Sequence, residues 1–375
     1  MPRHVAINAV FLSPPMGGLE TYLRELCRCL LARDDAPRLT VFLNPDGYES
    51  LRAEPWAGEV ELVACPRVGR SGLRAISELT VLGPMADRRG ADVIHSVAMT
   101  GPLASRAARV VTIADTVWIR YPEDNLTQRL WRVTVPLVAR RAHRVIAISA
   151  AAGEDVRRHL GVDEGRLDVI PLGFGRPTAT DATPEPELRA KLGLGEGPIV
   201  LNVGQKKPHR NLERLVRAMV RVREEVPDAQ LVLPGPPNPV GERALRELAA
   251  GCGVEDAVTL PGHVPLADLE GLYTACAVFV LPSLAEGFGL PVLEAMARGA
   301  AVACSDRGAP AEVAGDAALA FDPESERAIA DAILAVLRDP SLRERLAAAG
   351  PPRAASFTWE RCAEETMDAY RRALR

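Results

Sequence analysis

The sequence predicts an α/β protein made of two doubly wound, Rossmann-like domains with parallel sheets. Three observations carry that expectation: short continuous apolar runs rich in β-branched residues, longer stretches of helical period between them, and a Pro/Gly-rich interval after which the alternation starts again. Continuous runs, as opposed to alternating ones, suit strands covered on both faces by helices. At 375 residues the chain has room for two domains of ordinary size.

The first run, over 5–11, follows Arg3 in the manner of a signal peptide. It is too short, is broken by Asn8 and precedes no small-residue cleavage pattern, so it reads as the first buried strand. Further strands are expected over 39–43, 60–64, 93–95, 110–114 and 145–148. No apolar stretch reaches the ~18 residues of a membrane span. From 171 to 198, Pro171, Pro177, Pro184, Pro186 and Pro198 stand among glycines and acids, which is linker composition. Strands are then expected over 199–203, 231–234, 258–260, 278–281 and 302–305, giving domains 1–172 and 173–356. In the closing segment, 357–375, Trp359, Met367 and Tyr370 fit a helix with one core face.

The 45 Lys and Arg against 49 Asp and Glu leave a charge of −4, too little field to make nucleic acid a default partner. Residues 1–172 are slightly basic, with 22 Arg and no Lys against 20 acids. Arg67, Arg70 and Arg74, with Arg129, Arg132, Arg140, Arg141 and Arg144, read either as a face for an anionic acceptor or membrane surface or as solvated helix faces. Seven scattered cysteines are odd in number and suit a reducing cytoplasm better than a disulfide framework. Cys27 and Cys29, two apart on an expected helix, face different ways and suit neither a metal nor a redox pair.

The chemistry is concentrated in 282–297. A buried strand ends at Leu281, a glycine-bearing loop follows, and Pro291 stands where a helix would begin. The backbone N–H groups around Gly289 to Val292 would then point out of a helix N-terminus, a setting that favours an anion such as a diphosphate. Gly287 and Gly289 let a ligand approach the main chain. Glu286 and Glu294 flank this segment, one able to face a polyhydroxylated group and the other to accept hydrogen bonds from a ribose. The plainer alternatives are a solvated loop acid and a helix-dipole charge. Lys206, Lys207 and Arg210, at the end of another buried strand, read as cations for a leaving diphosphate or as a solvated helix start. Gly17 and Gly18 give a flexible loop before a helix.

The stretch Glu286-Gly287-Phe288-Gly289-Leu290-Pro291-Val292-Leu293-Glu294 resembles the two-glutamate signature of the retaining nucleotide-sugar glycosyltransferases of family 4. The resemblance extends to Gly17-Gly18-Leu19-Glu20, to the segment from Val203-Gly204 to Arg210-Asn211, to 305–312 and to Phe357-Thr358-Trp359-Glu360. It implies the GT-B architecture, two doubly wound domains facing a central cleft, with a terminal helix packed back on the first domain. It further implies that Glu294 holds the ribose hydroxyls and Glu286 faces the donor sugar. The amides of Gly287, Phe288 and Gly289 would bind sugar hydroxyls, and those of Leu290 and Val292 would meet the diphosphate. Gly17 and Gly18 match the loop that closes over phosphates and sugar, and Arg210 matches the basic residue six positions after Gly204. The segment 260–264, with His263 and Val264, resembles the loop whose backbone meets the base; the His263 side chain is assigned no chemistry. His95 stays open between an acceptor contact and a satisfied strand-end histidine.

Two departures stand out. Gln205 occupies a position where many members have arginine, with Lys206 or Lys207 as substitutes. Ala114, before Asp115, stands where members commonly carry a histidine near the reaction centre, and alanine neither donates a hydrogen bond nor transfers a proton. Either this is a natural variant that has shifted the role to Asp115 or to substrate groups, or the histidine was replaced to slow turnover.

The resemblance therefore implies transfer of a hexosyl group, mannosyl first, from GDP-mannose or a UDP-hexose to an alcohol on a glycan, a lipid-linked saccharide or a small molecule. Front-face attack with retention is expected, without metal or bound cofactor; no Asp-x-Asp stands at a strand end, and Asp34-Asp35 serve poorly as a metal pair. The rivals are a GT-B epimerase, a phosphorylase and a non-catalytic nucleotide-sugar-binding protein. The phosphorylase needs a lysine for pyridoxal phosphate and finds only Lys191, Lys206 and Lys207. The expected location is cytoplasmic, with a peripheral contact at the inner membrane face through the first domain left open.

Overall fold

The computed structural model describes residues 1–14, 17–65, 77–123, 125–174 and 181–375. Arg67, Arg70 and Arg74 of the expected basic face lie outside them. The chain divides into two compact units, Met1–Gly175 with Phe357–Arg375, and Arg176–Ser356.

The first unit is built on seven strands: β1 (His4–Ala9), β2 (Arg38–Leu43), β3 (Glu61–Ala64), β4 (Val93–Ser96), β5 (Ala108–Ile113), β6 (Arg144–Ala147) and β7 (Leu167–Val169). They pair in parallel in the order β3-β2-β1-β4-β5-β6-β7. The second holds β8 (Ile199–Leu201), β9 (Gln230–Val232), β10 (Val258–Thr259), β11 (Val278–Leu281), β12 (Val302–Ser305) and β13 (Leu319–Phe321). Their order is β10-β9-β8-β11-β12-β13, again parallel. The continuous apolar runs predicted this: β1, β4, β8, β11 and β12 are buried along their whole length. In each sheet the order reverses beside the first strand, at β1/β4 and at β8/β11, and open parallel sheets bind ligands beyond the carboxyl ends at such points.

Two strands escaped the sequence reading, β7 and β13. Both are three-residue edges, and β7 has a charged centre, Asp168, so neither shows a buried run. The expected linker also needs correction. Glu185–Leu192 within it is a helix of the second unit, with Leu188 fully buried and Gly193 closing it in the left-handed conformation, φ 67°. Pro184 and Pro186 stand at its start, where proline lacks no needed N–H, so the proline density marked a helix start. Asp268 accepts from Thr183 Oγ1 at 2.7 Å and from Lys191 Nζ at 3.0 Å, fastening this helix to Leu266–Ala275.

The terminal helix Trp359–Ala373 is capped by Thr358 and packs on the helix Gly18–Leu31, β5 and β6. Trp359 stacks on Tyr22 at 6.1 Å, and a Cβ at Gly173 would come within 2.4 Å of the Trp359 nitrogen. Beneath it His95 is wholly buried, with Nδ1 2.7 Å from Tyr370 Oη and Nε2 2.8 Å from Thr112 Oγ1. Both ring nitrogens are consumed, so His95 is the satisfied histidine of the two readings and is not an acceptor contact. Arg372 and Arg144 both pair with Asp168, at 2.8 and 2.6 Å. All seven cysteines are free, and burial pushes the thiols of Cys27, Cys276, Cys304 and Cys362 up to about 12, far from the range of reactive thiolates.

Burial pushes the His95 imidazole down to about 3 from its ordinary 6.5. Between those values the unfolded chain binds a proton that the folded one refuses, so stability is expected to fall as pH drops from 6.5 toward 3. Denaturant unfolding over that range is expected to give a shallower pH slope in His95→Gln, by about one proton.

Candidate functional site

The loops that follow β8 and β11, neighbours at the reversal of the second sheet, are fastened to each other residue by residue. Asn202 Nδ2 donates to the Val280 carbonyl at 2.7 Å, and the Leu284 N–H to the His209 carbonyl at 2.8 Å. Between them a short 3-10 turn, Pro208–Arg210, ends at Asn211, whose φ of 59° is the one positive value at a non-glycine among the described residues. The Asn211 side-chain amide donates to the carbonyls of Pro282, at 2.9 Å, and Pro323, at 2.7 Å.

This clamp delivers Arg210 to Glu286. The two side chains form a close ion pair, 18% and 9% exposed, and Glu286 also accepts from Ser283 Oγ at 3.0 Å. Arg210 Nε is buried without a hydrogen-bond partner. So is the ammonium of Lys206, a residue only 5% exposed. Desolvation pulls Lys206 below the ordinary lysine range, with Glu242 opposing. Its carbonyl is gripped by Asn238 Nδ2 at 2.8 Å.

Three glycines bring the loops after β8, β9 and β10 together. The Gly204 N–H donates to the Pro234 carbonyl at 3.1 Å and that of Gly235 to the Gly262 carbonyl at 2.8 Å. At Gly235, φ 154°, a Cβ would stand 2.0 Å from the Gly204 oxygen and 3.3 Å from Lys206 Nζ, so no larger residue fits. Beyond Gly262, φ 72°, His263 is exposed and Val264 buried.

Gly289, φ 103°, opens the helix Leu290–Ala297 with Pro291 in its first turn and no side-chain cap. Uncapped first-turn amides carry the positive end of the helix dipole and suit an anion. Gly287 and Phe288 are buried before it. One turn in, Glu294 accepts from Tyr273 Oη at 2.8 Å. Arg298, on the same face, donates to the Glu294 carbonyl at 2.8 Å, pairs with Glu270, and lies 5.2 Å from the centroid of the Tyr273 ring. The sequence reading missed Tyr273, Glu270 and Arg298; the i,i+4 spacing of Glu294 and Arg298 signals that one pair, and nothing local ties it to Tyr273 or Glu270.

Of the expected site residues, the second unit therefore gathers Gly204, Lys206, Arg210, Glu286, the 287–292 segment and Glu294 on the loops and helices at the carboxyl ends of β8 and β11. Gly17, Gly18, Ala114 and Asp115 belong to the first unit. Gly17, φ 68° and exposed, precedes the helix Gly18–Leu31 after β1. Ala114 follows β5, and Asp115 Oδ1 accepts from the Val117 N–H at 3.0 Å at the start of the short helix Val117–Arg120. Among the described residues no group of His, Cys, Asp or Glu is placed to hold a metal ion, and no helix is long and apolar enough to cross a membrane.

Residues 184–353 match the family model of glycosyl transferases group 1, and residues 17–173 that of the glycosyl transferase 4-like domain. The chain belongs to glycosyltransferase family 4. It is 48% identical over 110 residues to the O-antigen chain mannosyltransferase B of Escherichia coli, covering 29% of each chain. It is 33% identical over 241 residues to the D-inositol 3-phosphate glycosyltransferase of Xylanimonas cellulosilytica, covering 62% of this chain and 57% of that one. The chain thus spans less than two thirds of the length of these curated relatives. HepE from Anabaena, solved with UDP and glucose, matches at TM-score 0.75 and 20% identity over 98% of both chains. The sucrose-phosphate synthase of Thermosynechococcus elongatus matches at 0.74 and 22% over 98% of both. This family 4 protein shares their GT-B fold.

An unpartnered buried ammonium costs stability, on the order of 1–3 kcal/mol for a buried unsatisfied group. Lys206→Met is accordingly expected to stabilise the protein by about 1 kcal/mol near neutral pH, read by denaturant unfolding. The gain should shrink as pH rises toward 10.5, because the unfolded lysine then also loses its proton.

Proposed function

We propose that this family 4 protein is a retaining glycosyltransferase that moves a hexosyl group from a nucleoside-diphosphate sugar to an alcohol on a glycan or lipid-linked saccharide. One observation carries the reading: Lys206 Nζ and Arg210 Nε, two cationic donors buried without partners, sit on one loop at the sheet reversal that also bears the uncapped helix Leu290–Ala297. A diphosphate supplies what these donors lack, and its charge grows as the sugar leaves, so the same groups stabilise the transition state. Glu294 takes the ribose hydroxyls. Glu286, already oriented by Ser283 and Arg210, takes those of the sugar, with the amides of 287–289 beside it.

In the proposed step the acceptor oxygen bonds to the anomeric carbon on the face from which the diphosphate departs. The carbon–oxygen bond to phosphate breaks, the acceptor proton passes to the departing phosphate oxygen, and the configuration is retained. No metal enters, since the cations and the helix take the charge; turnover is expected to survive a chelator, and its loss would contradict this. Mannosyl is the first candidate for the sugar, on the name of the Escherichia coli relative, with GDP-mannose as the donor to be tried first. A UDP-hexose is the second, on the UDP-glucose complex of HepE.

Thermal shift with GDP-mannose, UDP-glucose and their nucleotides tests the donor class. A ligand-specific shift is expected, lost in Glu294→Ala and reduced about tenfold in affinity in Lys206→Met, as for one charged hydrogen bond. No shift with any nucleotide would overturn the reading. A second reading, a non-catalytic nucleotide-sugar-binding protein, is favoured by Ala114 and by the hydrogen bond that Asp115 Oδ1 accepts from the Val117 N–H. Ala114→His separates the two: a transferase gains turnover and a binding protein stays inert.

The first unit also carries a face suited to an anionic lipid surface, and we place its acceptor there. The helix Leu126–Arg141 contains no acidic residue and exposes Leu126 and Val133, at 63% and 69%, beside Leu137, Arg129, Arg132, Arg140 and Arg141. Cosedimentation with phosphatidylglycerol vesicles but not with phosphatidylcholine vesicles is expected, weakened about tenfold in Val133→Glu/Arg129→Glu, whereas equal recovery with both lipids would contradict it.

A further inference from the structure

We infer that Tyr273 is a positioning residue for Glu294, holding its carboxylate in the one orientation that engages both hydroxyls of a nucleotide ribose; the inference rests on the ribose role proposed above for Glu294. Tyr273 is 1% exposed on the helix Leu266–Ala275, and its hydroxyl donates to Glu294 Oε2 at 2.8 Å. A carboxylate on a helix surface otherwise turns freely about its side-chain bonds, and fixing it removes conformational entropy that a ligand would have to overcome.

The tyrosine is itself immobilised. Its ring packs against Phe279 of β11, centroids 5.8 Å apart, and lies under the Arg298 guanidinium at 5.2 Å. Arg298 is anchored to Glu270 in an ion pair with both side chains 5% exposed, and to the Glu294 carbonyl at 2.8 Å. A buried pair of this kind is rigid because separating it would strand a charge away from water. Glu270 and Tyr273 of the helix Leu266–Ala275, Arg298 at the end of the helix Leu290–Ala297 and Phe279 of β11 thus form a buried brace that converges on Glu294.

The test compares GDP and UDP with their 2′,3′-dideoxy forms by calorimetry on wild type, Tyr273→Phe, Glu294→Gln and the double variant. Phenylalanine keeps the ring contacts and deletes only the hydroxyl, so the melting temperature should hold. Wild type is expected to prefer the ribose form of its nucleotide by at least about tenfold, the value of one charge-assisted hydrogen bond. In Tyr273→Phe that preference should fall to about threefold while affinity for the dideoxy form is unchanged, and with Glu294→Gln already present the second substitution should add nothing. A wild-type preference that survives intact in Tyr273→Phe overturns the inference and leaves the ribose role standing. A wild type indifferent to the hydroxyls, or one that binds neither nucleotide, overturns the ribose role and the inference together.

Discussion

The Asn211 side chain reaches two carbonyl oxygens at once, those of Pro282 and Pro323, while its own backbone turns through the left-handed region. Of the non-glycine residues, asparagine adopts that conformation most readily, and it alone also offers a two-donor amide there. The consequence is geometric. Loops following three different strands, β8, β11 and β13, are locked to one another, and Arg210, the residue before the lock, is paired with Glu286. The orientation of the loop before the helix Leu290–Ala297, and with it the line of amides and Glu294, depends on that lock.

Around this clamp the second unit concentrates charge in a way that folding alone would not favour. Lys206 is buried beside glycine backbone with its ammonium unpartnered, and Arg210 keeps one buried N–H unpartnered although its other end is paired. Apolar residues of similar shape would make a more stable protein. Sites that bind or transform charged groups are where such local losses accumulate, because a preorganised cation need not be assembled when the negative charge appears.

How much of this was legible in the sequence follows from the range of each interaction. Strands buried on both faces announce themselves by unbroken β-branched runs, so β1, β8 and β11 were readable, whereas β7 and β13 are three residues long with one buried residue each, Asp168 and Phe321, and carry no such run. The 286–294 motif was readable because strand end, glycine loop, proline and acids fall within the fourteen residues 281–294. Prolines 184 and 186 misled, since proline at the start of a helix and proline in a spacer look alike until the buried Leu188 is seen. The contacts of His95 with Tyr370, and the brace of Glu270 and Arg298 on Tyr273, join residues far apart in the chain and left no local trace. The hydrogen bond that Asp115 Oδ1 accepts from the Val117 N–H is local, two residues along the chain, but depends on the turn after β5 that the apolar pattern does not specify.

The most direct test of the account is a calorimetric comparison of nucleoside diphosphate, nucleoside monophosphate and free nucleoside, for guanosine and uridine, at two salt concentrations. If Lys206, Arg210 and the uncapped helix form a diphosphate site, the diphosphate of the preferred base should bind at least about tenfold more tightly than its monophosphate, one charge-assisted contact being worth that much. Equal affinities for the three forms would show that the buried cations do not face the ligand, and the donor site would have to be sought elsewhere.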